Sequence, residues 1–208
     1  YGAPYITFIR SIVTGGREFP TYGNGASWQS SMMKLSAIDQ LLKDNDVQND
    51  DWVLSVDSDV VFCTTEVFEV LDLEYGIIGI VHKPPFKTEY GPWGHCSGAL
   101  IFIRGDIAKK MCSMSDNELH RIRIEEFKKH VITENEDVVL SYLAMVCGAK
   151  ALDLDGKGLS SGNFEEELVI GNLKSYYHLN YNPAMFLGEP CGAKWLIPSI
   201  IKSKGIEI

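Results

Sequence analysis

Asp57-Ser58-Asp59 closes a short apolar run, Trp52-Val53-Leu54-Ser55-Val56. Two carboxylates one residue apart repel each other, and desolvation sharpens the conflict. A divalent cation resolves it, because Mg²⁺ and Mn²⁺ take oxygen ligands and bridge carboxylates to phosphate oxygens. The chemistry open to this spacing is therefore to hold a metal at which a phosphate binds. The competing reading is a solvated acidic turn, since a D-x-D triplet arises readily by chance. Its position directly after a buried strand favours the metal, because ligands of α/β sheets collect beyond the carboxyl ends of strands.

The elements that must position this motif follow from periodicity. Tyr5–Val13 is β-branched and aromatic and reads as a first strand. A Gly-rich loop, 14–26, leads to Ser27, a plausible N-cap for a helix to about Lys43 with the stripe Met32, Leu35, Ile38, Leu41, Leu42. Trp52–Val56 reads as a strand buried on both faces. A helix near Thr65–Leu71, a strand at Ile77–Val81, a Pro- and aromatic-rich loop at Lys83–Trp93 and a strand at Ala99–Ile103 follow. Asp106 can cap a helix to about Cys112. Glu118–His130 is a charged helical surface segment. Thr133 starts a helix to about Cys147, before a strand at Ala151–Leu154 and a loop-rich tail. This alternation predicts one Rossmann-like α/β domain with a central, mostly parallel sheet of about six strands flanked by helices. Its nucleotide-binding half is expected at about 1–105 and its acceptor-side half at about 106–208.

Four segments, in this order, resemble the GT-A class of nucleotide-sugar glycosyltransferases. They are Asn24-Gly25-Ala26-Ser27 before the first helix, the strand ending in Asp57-Ser58-Asp59, the turn and strand Trp93-Gly94-His95-Cys96-Ser97-Gly98-Ala99-Leu100, and Glu134-Asn135-Glu136-Asp137 opening a helix. The chain also resembles glycosyltransferase domains encoded by large algal (chlorovirus-type) DNA viruses. The resemblance implies a UDP-sugar donor, Mn²⁺ or Mg²⁺, and transfer of a hexose or deoxyhexose to a hydroxyl of a glycan or glycoprotein. It implies Asp59 as the principal metal ligand and Asp57 as a ligand of the metal or of ribose hydroxyls, with Ser58 between them. It implies His178, in Tyr176-Tyr177-His178-Leu179-Asn180, as a further metal ligand; a hydrogen-bonded histidine in an aromatic cluster is the equal alternative.

An inverting transferase also needs a carboxylate to take the acceptor proton. Asp137 is the first candidate and Glu136 the second, although Thr133-x-x-Glu136 equally makes a capping box and both acids suit a helix N-terminus. Without a carboxylate opposite the diphosphate, a retaining route is expected. Thr14, Gly15 and Gly16 would let a nucleotide approach the backbone, and Arg17 would pair with its diphosphate, unless it is simply solvated. Lys34 could reach the base or a phosphate. Ser97 and Gly98 would border the donor sugar; His95 could donate a hydrogen bond to it, although a packed loop histidine is the preferred reading, and Trp93 and Tyr90 could stack on its apolar faces, with structural aromatics the equal alternative. His82, His120 and His130 read as surface or loop residues.

Composition narrows the classes. The 208 residues carry 28 acidic and 19 basic side chains, a net charge of −9. That excess speaks against nucleic acid as a partner, whose binding rests on a basic surface. It also makes a metal the natural neutraliser of a diphosphate. No apolar run approaches the roughly 18–20 residues of a membrane span. Five cysteines at wide spacing, Cys63, Cys96, Cys112, Cys147 and Cys191, contain no C-x-x-C pair and read as reduced thiols. With no visible signal peptide, the expected location is cytoplasmic (host cytoplasm for a viral protein). The chain begins at Tyr1, as a domain of a longer protein would. Two other functions fit the residues: a HAD-type phosphatase, whose D-x-D-x-[TV] motif Asp57–Val61 matches, and a non-catalytic sugar-nucleotide-binding module. Against the phosphatase, a strand and helix precede the motif, and Asp153-Leu154-Asp155-Gly156 lacks the G-D-x-x-x-D form of its second acidic element.

Overall fold

Apolar spacing sets the longest element. Trp28, Met32, Leu35 and Ile38 fall on one face of helix α1 (Ala26–Asp44) and are buried, while Leu41 and Leu42 are half-buried near its end. The computed structural model describes residues 16–20, 26–57, 60–62, 64–82, 95–130, 134–159 and 176–178. After α1 come β1 (Trp52–Val56), β2 (Val60–Phe62), α2 (Glu66–Glu69), β3 (Ile77–His82) and β4 (His95–Arg104). Helices α3 (Gly105–Ser113) and α4 (Asp116–Arg121), a π-helical segment (Ile122–Lys128) and α5 (Glu136–Val146) follow, then β5 (Ala151–Asp153), a 3-10 turn (Asp155–Lys157) and β6 (Tyr176–His178). The expected first strand, Tyr5–Val13, lies outside the described residues.

The chain is α/β, but its sheet differs from the expected one. The described strands form a four-stranded, mostly antiparallel sheet of order β1-β4-β3-β5 and a separate two-stranded sheet, β2-β6. Strands β3 and β5 pair in parallel, Ile77 opposite Ala151. Strands β1 and β4 run in opposite directions: the Gly105 N–H donates to the Asp51 carbonyl at 2.7 Å, and the Asp57 N–H to the Ala99 carbonyl at 2.9 Å. The partner thus retreats as β1 advances. The physical reason lies between β3 and β4. A parallel return needs a crossover of about a dozen residues or more, usually helical. Residues 83–94 carry Pro84, Pro85, Gly91 and Pro92, a composition that opposes a helix.

The chain forms two compact units that interleave in sequence. One comprises Tyr1–Val53 and Ile103–Lys150, the other Leu54–Phe102 and Ala151–Ile208. In the first, α1 packs on α3 and α5. Trp28 meets the Phe127 ring edge-on at 5.9 Å, and Phe127 meets Tyr142 at 5.3 Å. In the second, Ile77, Ile78, Leu100, Phe102 and Leu152 are buried, and Phe68 meets Phe102 edge-on at 5.8 Å. Fully burying each such side chain contributes roughly 1.5–3 kcal/mol.

Helix starts show how local chemistry is replaced by tertiary contacts. Asp106 is not the cap of α3. Arg104 holds that position, and the first amides of the helix, Gly105 and Asp106, donate instead to the carbonyls of Asp51 and Asn49 at 2.7 and 3.1 Å. Asp106 sits in the first turn and accepts from the Arg104 guanidinium at 2.6 and 3.2 Å, which holds its carboxyl below the usual range despite partial burial. That close approach requires a glycine: a Cβ on Gly105 would collide with the Gln48 carbonyl oxygen. Gly105→Ala is expected to cost about 1–3 kcal/mol through forced backbone displacement. Urea unfolding measures this, and an unchanged midpoint would contradict the contact.

Cys96 and Cys112 are buried and Cys147 is half-buried. Burial pushes the Cys112 thiol up to about 12 and the Cys147 thiol up to about 11, so neither is a ready nucleophile at neutral pH. Cys63 and Cys191 lie outside the described residues. Among the described residues no helix is long and apolar enough to cross a membrane.

Candidate functional site

Asp57, the first residue of the D-x-D motif, directly follows β1. Strand β1 ends at Val56, and Asp57 closes its pairing through the bond to Ala99. The Asp57 carbonyl accepts from the N–H of Val60, the first residue of β2, at 3.1 Å. Asp57 is half-buried; Ser58 and Asp59 lie outside the described residues. Strand β2 pairs antiparallel with β6, in the register Val60 opposite His178, Val61 opposite Tyr177 and Phe62 opposite Tyr176. Paired strands lie about 4.8 Å apart. The backbone of His178 therefore stands across from the residue that follows Asp59, although a long stretch of chain separates them in sequence.

His95, Ser97 and Gly98 occupy the opening half of β4 and are half-buried. Ser97 and Gly98 directly precede Ala99, the partner of Asp57, so they lie beside the carboxyl end of β1. The Ser97 hydroxyl oxygen accepts from the Ala99 N–H at 3.5 Å, a long bond that leaves the hydroxyl proton for another acceptor. On the same unit, Asp153 Oδ1 accepts from the N–H groups of Val81 at 3.0 Å and Asp155 at 3.1 Å. Asp153 thus fastens the end of β5 to β3, a structural task that also tells against the phosphatase reading. Trp93, Tyr90, Thr14 and Gly15 lie outside the described residues.

The remaining candidates belong to the other unit. Arg17 is engaged in the protein itself. Its guanidinium donates to the carbonyls of Cys112 at 3.1 Å and Met114 at 2.6 Å, pairs with Asp116, and lies 4.5 Å from the Phe19 ring centroid. It satisfies carbonyls left open where α3 ends, and its own N–H donates to Asp39 at 2.7 Å. Gly16 likewise allows close approach of α1: a Cβ there would collide with the Ser36 carbonyl oxygen. Lys34 and Glu136, expected to serve a nucleotide and an acceptor proton, form an ion pair with each other. The N-cap of α5 is Asn135, so Glu136 is the first helical residue and cannot close a box from N3; Thr133 lies outside the described residues. Asp137 follows in the first turn, half-buried, and its Oδ1 accepts from the Val138 N–H at 2.9 Å.

Two buried charged side chains, those of Arg123 and Asp39, were not legible as buried in the sequence. Arg123 and Glu134, 7% and 9% exposed, form a forked pair at 2.7 and 3.1 Å, with the guanidinium 5.4 Å from the Trp28 ring centroid. Arg123 stands four residues after buried Leu119 and four before buried Phe127. A cation on an apolar helical stripe was the available signal. The buried Asp39 carboxyl is the second. Burial raises it, but the Lys43 ammonium at 2.6 Å and the Arg17 N–H outweigh burial and hold it low.

The donor set expected around a cation is two carboxylates and one imidazole. That mixture suits Mn²⁺ better than Mg²⁺, which prefers oxygen alone. Among the described residues no three His, Cys, Asp or Glu side chains gather as a metal group; Asp59 lies outside that set. Comparison with known proteins yields no matching family, no matching curated relative and no matching solved structure.

Proposed function

We propose that this chain is a Mn²⁺- or Mg²⁺-dependent glycosyltransferase that moves a hexose or deoxyhexose from a UDP-sugar to a hydroxyl of a glycan or glycoprotein. The observation that supports this most is the β2–β6 register. It sets the backbone of His178 opposite Val60, next to Asp59, as a histidine completing a D-x-D metal site would require. Asp57 and Asp59, with His178, would hold the cation, which neutralises charge on the departing diphosphate. Ser97, Gly98 and His95 border the same strand end and would contact the donor sugar. In the reaction the acceptor oxygen attacks the anomeric carbon. The bond from that carbon to the diphosphate oxygen breaks, its electron pair leaving on UDP. The acceptor proton passes to a carboxylate. Attack opposite the diphosphate inverts the anomeric configuration.

A thermal-shift screen of nucleotides and nucleotide sugars, with and without Mn²⁺, tests this directly. A ligand that binds only the folded state raises Tm, by about 2.7 kcal/mol of stabilisation at 100 times its Kd. UDP and its sugars are expected to stabilise only in the presence of Mn²⁺. Metal-independent stabilisation, or none by any nucleotide, overturns the proposal. Mn²⁺-dependent UDP binding without UDP release would reassign the chain as a binding module.

A further inference from the structure

We infer that Asp153, at the end of β5, is the carboxylate that takes the acceptor proton, and that its Oδ2 is the atom that receives it. The inference rests on the transferase reading and deepens it by naming that group. Asp153 lies in the same compact unit as Asp57, His95, Ser97, Gly98 and His178. One row of contacts crosses the sheet from Asp57 to Asp153. The Asp57 N–H donates to the Ala99 carbonyl in β4 at 2.9 Å. The carbonyl oxygen of Leu100, the next residue, lies against Gly79 in β3, 2.9 Å from where a Cβ would stand. Gly79 is in turn the register partner of Asp153 in β5. Three strand spacings of about 4.8 Å, roughly 14 Å in all, separate the two acids across the sheet. Inverting glycosidases set their two carboxyl groups about 6.5–9.5 Å apart to admit one water. The wider gap here leaves room for a cation and a diphosphate as well.

The Asp153 side chain is held by one oxygen and presents the other. Oδ1 accepts from the N–H groups of Val81 at 3.0 Å and Asp155 at 3.1 Å. Two bonds from two elements fix the plane of the carboxylate, and with it the direction of Oδ2. A carboxylate offers about four lone-pair sites. Among the described residues only these two bonds draw on them. Oδ2 lies beside Gly156, where a Cβ would sit 3.5 Å from it. Gly156 is not in the left-handed region, so the turn does not need a glycine for its backbone. What the missing side chain provides is access to Oδ2. Asp153 itself is half-buried, so its carboxylate is both positioned and reachable. A general base must be held within hydrogen-bond reach of the proton it takes, and small misplacements are costly. In the step, the acceptor oxygen bonds to the anomeric carbon while the bond to the diphosphate oxygen breaks. That electron pair leaves on UDP, and the hydroxyl proton moves to Oδ2.

The test measures UDP release from UDP-glucose, UDP-galactose and UDP-rhamnose in Mn²⁺, with water as acceptor, for the full chain and its variants. Asp153→Asn keeps an oxygen for both N–H groups and removes the base. It is expected to lower kcat by about 10²–10⁴-fold, with donor KM within about twofold and Tm near that of the wild type. Asp155→Asn alters the neighbouring exposed acid and keeps the N–H bond to Asp153, so it is expected to retain the wild-type kcat. Gly156→Val leaves the carboxylate and both its bonds in place but crowds Oδ2, and is expected to lower kcat by about 10-fold or more. Thermal melts confirm folding; should Asp153→Asn fail to fold, Gly156→Val carries the comparison. Unchanged kcat in Asp153→Asn, with or without a fall in Tm, overturns the inference and leaves Asp153 a purely structural tie. A rise in donor KM at unchanged kcat overturns it by making Asp153 a donor contact. An equal loss of kcat in Asp155→Asn overturns it by showing that the effect does not belong to Asp153. Absence of UDP release by the wild type with every donor removes the transferase reading, and this inference with it, whatever the variants do.

Discussion

Asp59→Ala and Asp57→Asn are expected to abolish Mn²⁺-dependent UDP binding and to lower sugar transfer by about 10²–10³-fold or more. The magnitude follows from the task assigned to the site. Stabilising charge on a departing diphosphate is worth several kcal/mol, and each 1.36 kcal/mol is tenfold in rate. Asp57→Asn is the more discriminating variant because its fold contribution is separable. Two bonds run through the Asp57 backbone, its N–H to Ala99 and its carbonyl from Val60, and an asparagine keeps both. The side chain changes charge with almost no change of shape. Calorimetric titration of UDP in Mn²⁺ would show heat in the wild type and none in either variant. His178→Ala is expected to weaken the metal less, since one neutral ligand of three is lost while both charges remain. Unchanged UDP affinity in Asp59→Ala would remove the metal assignment altogether.

How much of this was legible in the sequence depends on the range of the forces involved. Helical or continuous apolar spacing placed the body of α1 and the cores of β3, β4 and α5 to within a few residues, because burial leaves a local pattern; β1 also lies where expected, but only Val53 is buried, so it is not the strand covered on both faces that its apolar run predicts. Sheet direction left no such pattern. Ala99–Ile103 is buried at every position, as a strand covered on both faces would be, yet β4 runs against β1. Helix starts were misread where a tertiary partner replaced a side-chain cap, as at Gly105 with its carbonyl partners from 49–51. The site divides in the same way. The D-x-D motif was visible because it follows an apolar strand. The opposition of Val60 and His178 is a pairing between distant segments that the residues alone could only suggest through resemblance. The partners of Arg17 and Lys34 were not legible, because a cation's partner is chosen by the fold, and each has one inside the protein.

The largest expected effect on stability is at Glu134. Glu134→Gln leaves Arg123, 7% exposed, beside Trp28 without its counter-charge, and breaking a buried pair from one side costs about 3–5 kcal/mol. Lys128, which also reaches Glu134 at 3.2 Å, is 55% exposed and adds little. The desolvated Arg123 charge, rather than the lost attraction alone, makes the single variant costly. Removing both members should therefore recover much of the loss: Arg123→Met with Glu134→Gln is expected to be more stable than Glu134→Gln. The wild type should show the same pair in acid. Burial raises the Glu134 carboxyl, but the Arg123 fork and Lys128 outweigh it and hold it below its ordinary value of 4.5. A carboxylate lowered on folding stabilises the protein above that ordinary value, and the contribution is lost as pH falls through the folded-state value. Urea midpoints from pH 7 to pH 3 should fall more steeply for the wild type than for Glu134→Gln, which has no carboxyl to titrate at this position. Parallel acid limbs, or a double variant no more stable than the single one, would show that the Arg123–Glu134 pair does not hold the π-helical segment to the start of α5.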